Sequence, residues 1–159
     1  MIAACISDTH LHGPGGLPDW CTEQLERADL ILHAGDIVTR EALSTIERLA
    51  PVVAVCGNMD ELGLKQRLPK QRVAEIGDIR IGVVHDAGPE RGRAARLLAA
   101  FSECDAVVYG HTHVPELRRV EERWILNPGS PTSRRAGPPY TMLVIEIDER
   151  TIKPQLISA

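Results

Sequence analysis

A chain of 159 residues, 43% hydrophobic and 25% charged, has the makeup of one globular domain, 1–159, with a buried core. Aromatic side chains are only 3%, so the core rests on Val, Ile, Leu and Ala, and the stacking rings of a single-strand nucleic-acid binder are lacking. A net charge of −4 with no basic stripe argues equally against a nucleic-acid groove.

The apolar opening, 1–6, lacks a basic start and runs straight into Ser7-Asp8, too short for a signal peptide or a membrane span. Residues 2–6 are instead a candidate buried strand. Pro18 suits the first turn of a helix reaching Ala28. Residues 30–33 form the next strand, which ends at Gly35-Asp36. Thr39 as N-cap, with Glu41 in the first turn, opens a helix to about Leu49. A third strand, 52–56, ends at Gly57-Asn58. Strands 73–76 and 79–84 pair as a hairpin around Gly77-Asp78, and the second ends at His85. A helix from about Glu90 to Ser102 puts Leu97, Leu98 and Phe101 at core spacing, with Arg91, Arg93 and Arg96 expected on a solvated face. Strand 105–109 ends at Gly110-His111. The tail adds strands 117–120, 123–126, 142–147 and 152–157. This alternation marks an α/β domain. Cys5, Cys21, Cys56 and Cys104 form no CxxC pair, so the expectation is a reduced, disulfide-free chain in the cytoplasm, without a membrane partner.

Five of these strands end in a residue able to bind metal: Asp8, Asp36, Asn58, His85 and His111. In open α/β sheets, sites form beyond the carboxyl ends of the strands, so the five converge on one rim. Asp8-Thr9-His10 and His111-Thr112-His113 each add a second ligand type, and in an extended backbone alternate side chains face the same way. Taken singly, an Asp or Asn after a strand is a turn residue and a His is a packed or solvated side chain. Those readings would have to hold independently at every strand end. Mixed oxygen and nitrogen ligands without thiolate suit Mn, Fe, Co, Ni or Zn better than Ca or Mg. His33, within a strand, is expected to be a packed residue. His12, just beyond the first motif, is a solvated loop residue or a substrate contact.

In this order, Asp8-x-His10, Gly35-Asp36, Gly57-Asn58, His85 and Gly110-His111-x-His113 resemble the five motifs of the calcineurin-like metallophosphoesterases. The length, Gly57-Asn58-Met59-Asp60 and Asn127-Pro128-Gly129-Ser130-Pro131 are similar to the small YfcE-like phosphodiesterase branch. The resemblance implies a four-layer αββα sandwich, two β-sheets face to face with helices outside. It implies two divalent transition-metal ions, Mn²⁺ foremost, with Ni²⁺, Co²⁺, Fe²⁺ or Zn²⁺ as alternatives. Asp8, His10 and His113 would hold one and Asn58, His85 and His111 the other, with Asp36 bridging; Asp36, Asn58 and His85 would also carry catalysis. Two cations about 3.5–4 Å apart clamp a phosphoryl group and supply hydroxide near neutral pH for in-line attack on phosphorus. Backbone amides near Asn58 and the side chain of Arg134 are candidates to offset charge on the phosphoryl oxygens.

Two positions depart from the pattern. Many relatives carry a histidine after Gly-Asn that protonates the leaving group, whereas this chain has Met59, as the YfcE-like branch also lacks that histidine. Where the branch often has His-Gly-His, this chain has His85-Asp86-Ala87, and Asp86 is a candidate to orient a metal-bound imidazole or bind water, to contact substrate, or simply to make the turn. The expected substrate is a small phosphodiester. The rival reading is a protein-binding scaffold on the same fold, as in the retromer subunit that resembles this family. The resemblance also implies a homo-oligomer, with the apolar C-terminal strands as interface.

Overall fold

Strands that alternate between two apolar faces need a packing layer on each side, and this chain supplies both. The computed structural model describes residues 1–12, 16–135 and 139–159. In chain order the elements are β1 (Ile2–Ile6), α1 (Asp19–Glu26), β2 (Leu30–His33), α2 (Arg40–Glu47), β3 (Val52–Ala54), α3 (Leu62–Arg67), β4 (Gln71–Ile76) and β5 (Ile79–Val84). They continue with α4 (Arg93–Ala100), β6 (Ala106–Tyr109), β7 (Glu116–Val120), β8 (Arg123–Asn127), β9 (Thr141–Asp148) and β10 (Thr151–Ser158). The strands form two five-stranded mixed sheets, ordered β10-β9-β1-β2-β3 and β4-β5-β6-β8-β7.

The period of two sorts the side chains into four layers. Ala3, Cys5, Leu32, Leu143 and Ile145 of the first sheet meet Ile81, Val83, Ala106, Val108 and Leu126 of the second in the central core. Their neighbours Ala4, Ile6, Ile31 and Met142 point the other way, onto Cys21 and Leu25 of α1 and Ile46 of α2. On the far side, Val107, Tyr109 and Ile125 receive Leu97 and Phe101 from the α4 region. The Phe101 ring lies against Gly82, where any side chain would strike it. Each fully buried Leu or Ile contributes about 1.5–3 kcal/mol, which is how a core short of aromatics holds. Pro154, without an N–H to donate, sits on the edge strand β10.

Within each sheet three neighbouring strands run parallel: β1-β2-β3 in one, β5-β6-β8 in the other. Their carboxyl ends therefore share one edge of the sandwich, and the loops that follow them meet there. Most element ends lie within one or two residues of the sequence reading, α1 ending at Glu26, α2 at Glu47 and β4 starting at Gln71, and three differences bear on the loops around the strand ends. β3 stops at Ala54, short of Cys56. Helix α4 starts at Arg93, because Gly92 caps it in a left-handed conformation (φ 74) and residues 90–92 stay in the loop. Helix α3 was not anticipated; it is only six residues long, and Leu64 is its sole buried side chain. No described helix is long and apolar enough to cross a membrane.

Candidate metal centre

Glycine lets the loops come together. A Cβ at Gly110 would fall onto Ser7 Oγ and lie 2.9 Å from Asp8 Oδ2; one at Gly57 would run into the carboxyl and backbone N of Asp36. Gly35 (φ 92) lets the chain pass under the His85 ring. The residues that follow are strained instead: Asp8, His10, Asp36, His111 and His113 all take positive φ, between 43° and 69°. The paired motifs thus face one spot through left-handed backbone, in place of the extended geometry expected from their alternate spacing. Such conformations cost roughly 1 kcal/mol or more each and persist where the surroundings over-determine them.

The seven side chains gather at this spot. Asp8 Oδ1 lies 3.3 Å from His113 Nε2 and 4.0 Å from His10 Nε2. Asp36 Oδ2 lies 3.6 Å from His10 Nε2 and 3.4 Å from His85 Nε2, so it reaches both halves. Asn58 Oδ1 lies 3.0 Å from His85 Nε2 and 3.1 Å from His111 Nδ1. The imidazoles pair off, His10 with His113 and His85 with His111, each with ring centroids 5.2 Å apart. Two groups, Asp8–His10–His113 and Asp8–Asp36–His85, offer ligand atoms all within 4.8 Å of one another.

The surroundings fix which atom of each group faces inward. The Nδ1–H of His85 donates to Ala34 O at 2.7 Å and that of His113 to Ser133 O, leaving both Nε2 lone pairs for the centre. Asp8 Oδ2 accepts from Ser7 Oγ at 2.5 Å and from the His111 N–H at 2.9 Å. Asp36 Oδ1 accepts from the Met59 N–H at 2.8 Å. That amide, anticipated as a phosphoryl donor, is therefore already engaged. Among the described residues, the buried side-chain atoms without a partner are Asp8 Oδ1, His10 Nε2 and Arg80 Nε. Two of these three face this spot.

Electrostatics marks the same place. Asp8 and Asp36 are buried, and among the described residues their ionic partners are histidines alone. Two buried carboxylates with no Lys or Arg among their described partners suit a bound cation. The Asp8 carboxylate, 3.3 Å from its Nε2, draws the His113 pKa upward. Burial works against the charged form of His85, but the Asp36 carboxylate 3.4 Å away and the field of Asp8 prevail and raise its pKa. At Asp36, burial is outweighed by the neighbouring His85 and the bond from the Met59 amide, so its pKa falls. At His10 burial wins over both carboxylates and the pKa is lowered.

Sequence reasoning passed over the straps between these loops. Asp60, 3% exposed, accepts from the N–H of Val38 at 2.8 Å and of Gly57 at 2.7 Å, tying the loop after β2 to the loop after β3. It holds Val38 at φ 89, an unusual place for a β-branched residue. Asn127 donates to Gly110 O and Thr112 Oγ1, and Ser130 Oγ donates to Asp8 O, so 127–130 clasps both paired motifs. Asp60→Asn presents a donor to one of two N–H groups, and a loss of about 2 kcal/mol in urea unfolding is expected. A change under about 0.5 kcal/mol, the range of an ordinary surface substitution, would show the strap to be dispensable.

The remaining candidates stand around this centre. His12 is exposed and borders 13–15, which lie outside the described residues. Asp86 Oδ1 accepts from the Gly88 N–H as a turn residue and also lines a cavity beside Asn58. The Arg134 guanidinium sits over the Tyr140 ring, 5.3 Å from its centroid. His33 is fully buried: its Nδ1 accepts from Gly35 N, its Nε2–H donates to Thr9 Oγ1, and burial pushes its pKa down to about 3. Arg93 and Arg96 do not merely face solvent. They donate to Gly88 O, Ala87 O and Arg91 O and brace the loop after His85.

Residues 1–150 match the calcineurin-like phosphoesterase superfamily domain. A probable metallophosphoesterase of Methanocaldococcus jannaschii is 38% identical over 154 residues, 94% of this chain and 78% of that protein. Wild-type Vps29 of Entamoeba histolytica, solved in complex with zinc, has a TM-score of 0.81 at 25% identity over 99% of each chain. A structure described as a novel archaeal phosphodiesterase has a TM-score of 0.74 at 21% identity, over 99% of this chain and 100% of that one. With a match that runs through every strand end from Asp8 to His113, on a sandwich of two five-stranded sheets, this chain belongs to the calcineurin-like phosphoesterase superfamily.

Proposed function

We propose that the chain is a phosphodiesterase with a dinuclear metal centre. Asp8, His10 and His113 would hold one cation and Asn58, His85 and His111 the other, with Asp36 shared between them. The observation that carries this reading is the pair of buried, unpartnered atoms Asp8 Oδ1 and His10 Nε2, beside a carboxylate oxygen that reaches two imidazoles. The donor set, oxygen and imidazole without thiolate, supports Mn²⁺, Fe²⁺, Co²⁺, Ni²⁺ or Zn²⁺, and zinc is bound by the Vps29 relative. When bound, such a pair supplies Lewis acidity at the phosphoryl oxygens and activates a water for attack. The chain's own part is to orient. Ala34 O and Ser133 O set the tautomers of His85 and His113, while Met59 N–H and His111 N–H fix the rotation of the two carboxylates. The four unpaired thiols support a reducing, cytoplasmic setting.

Met59 decides the class of ester. It is 53% exposed beside Asn58 and has no proton to give a departing oxygen. Esters whose leaving oxygen is already a weak base suit this site, and a small diester is favoured over a monoester. Likeness to Vps29 supports the rival, a protein-binding scaffold. One experiment separates them: strip the protein with chelator, restore each metal in turn, and assay diesters and monoesters of 4-nitrophenol beside those of a simple alcohol, whose leaving oxygen needs a proton. Diester turnover above monoester turnover is expected, and Met59→His raises the monoester-to-diester ratio. An unchanged ratio counts against the role of position 59, and a folded protein inert with every metal counts for the scaffold.

A further inference from the structure

A cavity of about 410 Å³ opens beside the centre, with Asn58 and His85 among its lining residues. That is within the range of roughly 300–1,000 Å³ typical of small-molecule sites, and leaves room for an organic group beyond a phosphoryl. Resting on the diesterase reading, we propose that this cavity receives one arm of the phosphodiester and that the arm carries an anionic group, a carboxylate or a second phosphate, recognised by Lys65 and Lys70.

The lining makes the argument. Cys56, Gly57 and Val84 give an uncharged surface for the body of the arm. Two lysines line the cavity, Lys65 from α3 and Lys70 from the stretch before β4, in a chain whose net charge is −4. Lys65 Nζ donates to Asn58 O at 2.7 Å, which anchors it beside Asn58 and leaves two of its three N–H bonds for a ligand. No Phe, Tyr or Trp is among the described lining residues, so recognition there is by charge and fit, without base stacking. Asp86 is the opposing charge; its Oδ1 is engaged by the Gly88 N–H, and it turns an anion toward the lysines.

The test uses the full metal-loaded chain and four esters of 4-nitrophenol that differ only in the second arm: ethyl, 2-carboxyethyl, 2-phosphonooxyethyl and choline phosphodiesters. The anionic arms are expected to give about tenfold higher kcat/KM than ethyl, through KM, with choline below ethyl. Lys70→Met brings the anionic-to-ethyl ratio toward one, Asp86→Asn increases it, and whichever anionic arm leads names the group. In parallel, amide NMR shifts of the chelated protein report binding of carboxyethyl phosphate against ethyl phosphate. Tighter binding of the former, lost in Lys70→Met, upholds the cavity even if no ester is hydrolysed with any metal, an outcome that would sink the diesterase reading alone. Equal preference in both assays, or a lead for the choline arm, overturns the proposal.

Discussion

Asp36→Asn is expected to lower kcat/KM for a diester by about 10³-fold, roughly 4 kcal/mol of transition-state stabilisation, while the chain stays folded. Asp36 Oδ1 faces the Met59 N–H and Oδ2 faces His10 and His85. An asparagine must keep its carbonyl on the Met59 amide, because its NH₂ would oppose another donor there. The NH₂ then points at the centre, where it offers neither charge nor a lone pair. With metals chelated, the variant is expected to lose no more than about 2 kcal/mol, since its carbonyl keeps the Met59 bond and only the pairing of the carboxylate with His85 and His10, which lowers the Asp36 pKa, is given up. A roughly 10³-fold activity loss with an unfolding change of no more than about 2 kcal/mol in chelator is the pattern to measure. Loss of the fold as well would mean that Asp36 acts through the fold.

Gly110→Ala is expected to destabilise the chain by about 3 kcal/mol, the scale of a severe core clash. The added methyl would meet Ser7 Oγ, Ala34 O at 2.8 Å and Asp8 Oδ2 at 2.9 Å, and the carbonyl belongs to backbone already carrying the His85 bond. Relief requires the loop after β6 to lift, which breaks the His111 N–H bond to Asp8 and moves both His111 and His113. Gly16→Ala is the control, because a Cβ there meets nothing within 4 Å. Thermal unfolding of the pair checks the argument; equal midpoints would show that the loops have slack that the contacts deny.

The strands and their polar ends were legible in the sequence, because a run such as Ile2–Ile6 must be buried on both faces and breaks off abruptly at Ser7-Asp8. Gly35, Gly57 and Gly110 were visible too, although the reason for them, a close approach between loops, is a tertiary fact. Helix α3 was not legible. It has no side-chain cap, begins with the exposed Leu62 and carries Gly63, so no amphipathic period announces it. The straps were hidden for another reason: Ser130 reaches back across 122 residues to Asp8, and Asp60 across 22 to Val38. Periodicity cannot see such bonds, nor the positive φ at Asp8, His10 and His111, residue types that enter the left-handed region more often than most but only where the surrounding loops demand it. Arg93 and Arg96 read as a solvated face because the loop that folds back onto them has no pattern of its own.

The central claim is that one set of seven side chains holds two cations. Metal content per chain, measured by mass spectrometry after Mn²⁺ loading and desalting, tests it most directly. Two ions per chain are expected in the parent and fewer than two in Asp36→Asn, which lacks the carboxylate that would be shared between them. A parent that retains one ion or none, or an Asp36→Asn chain that keeps both, would contradict it.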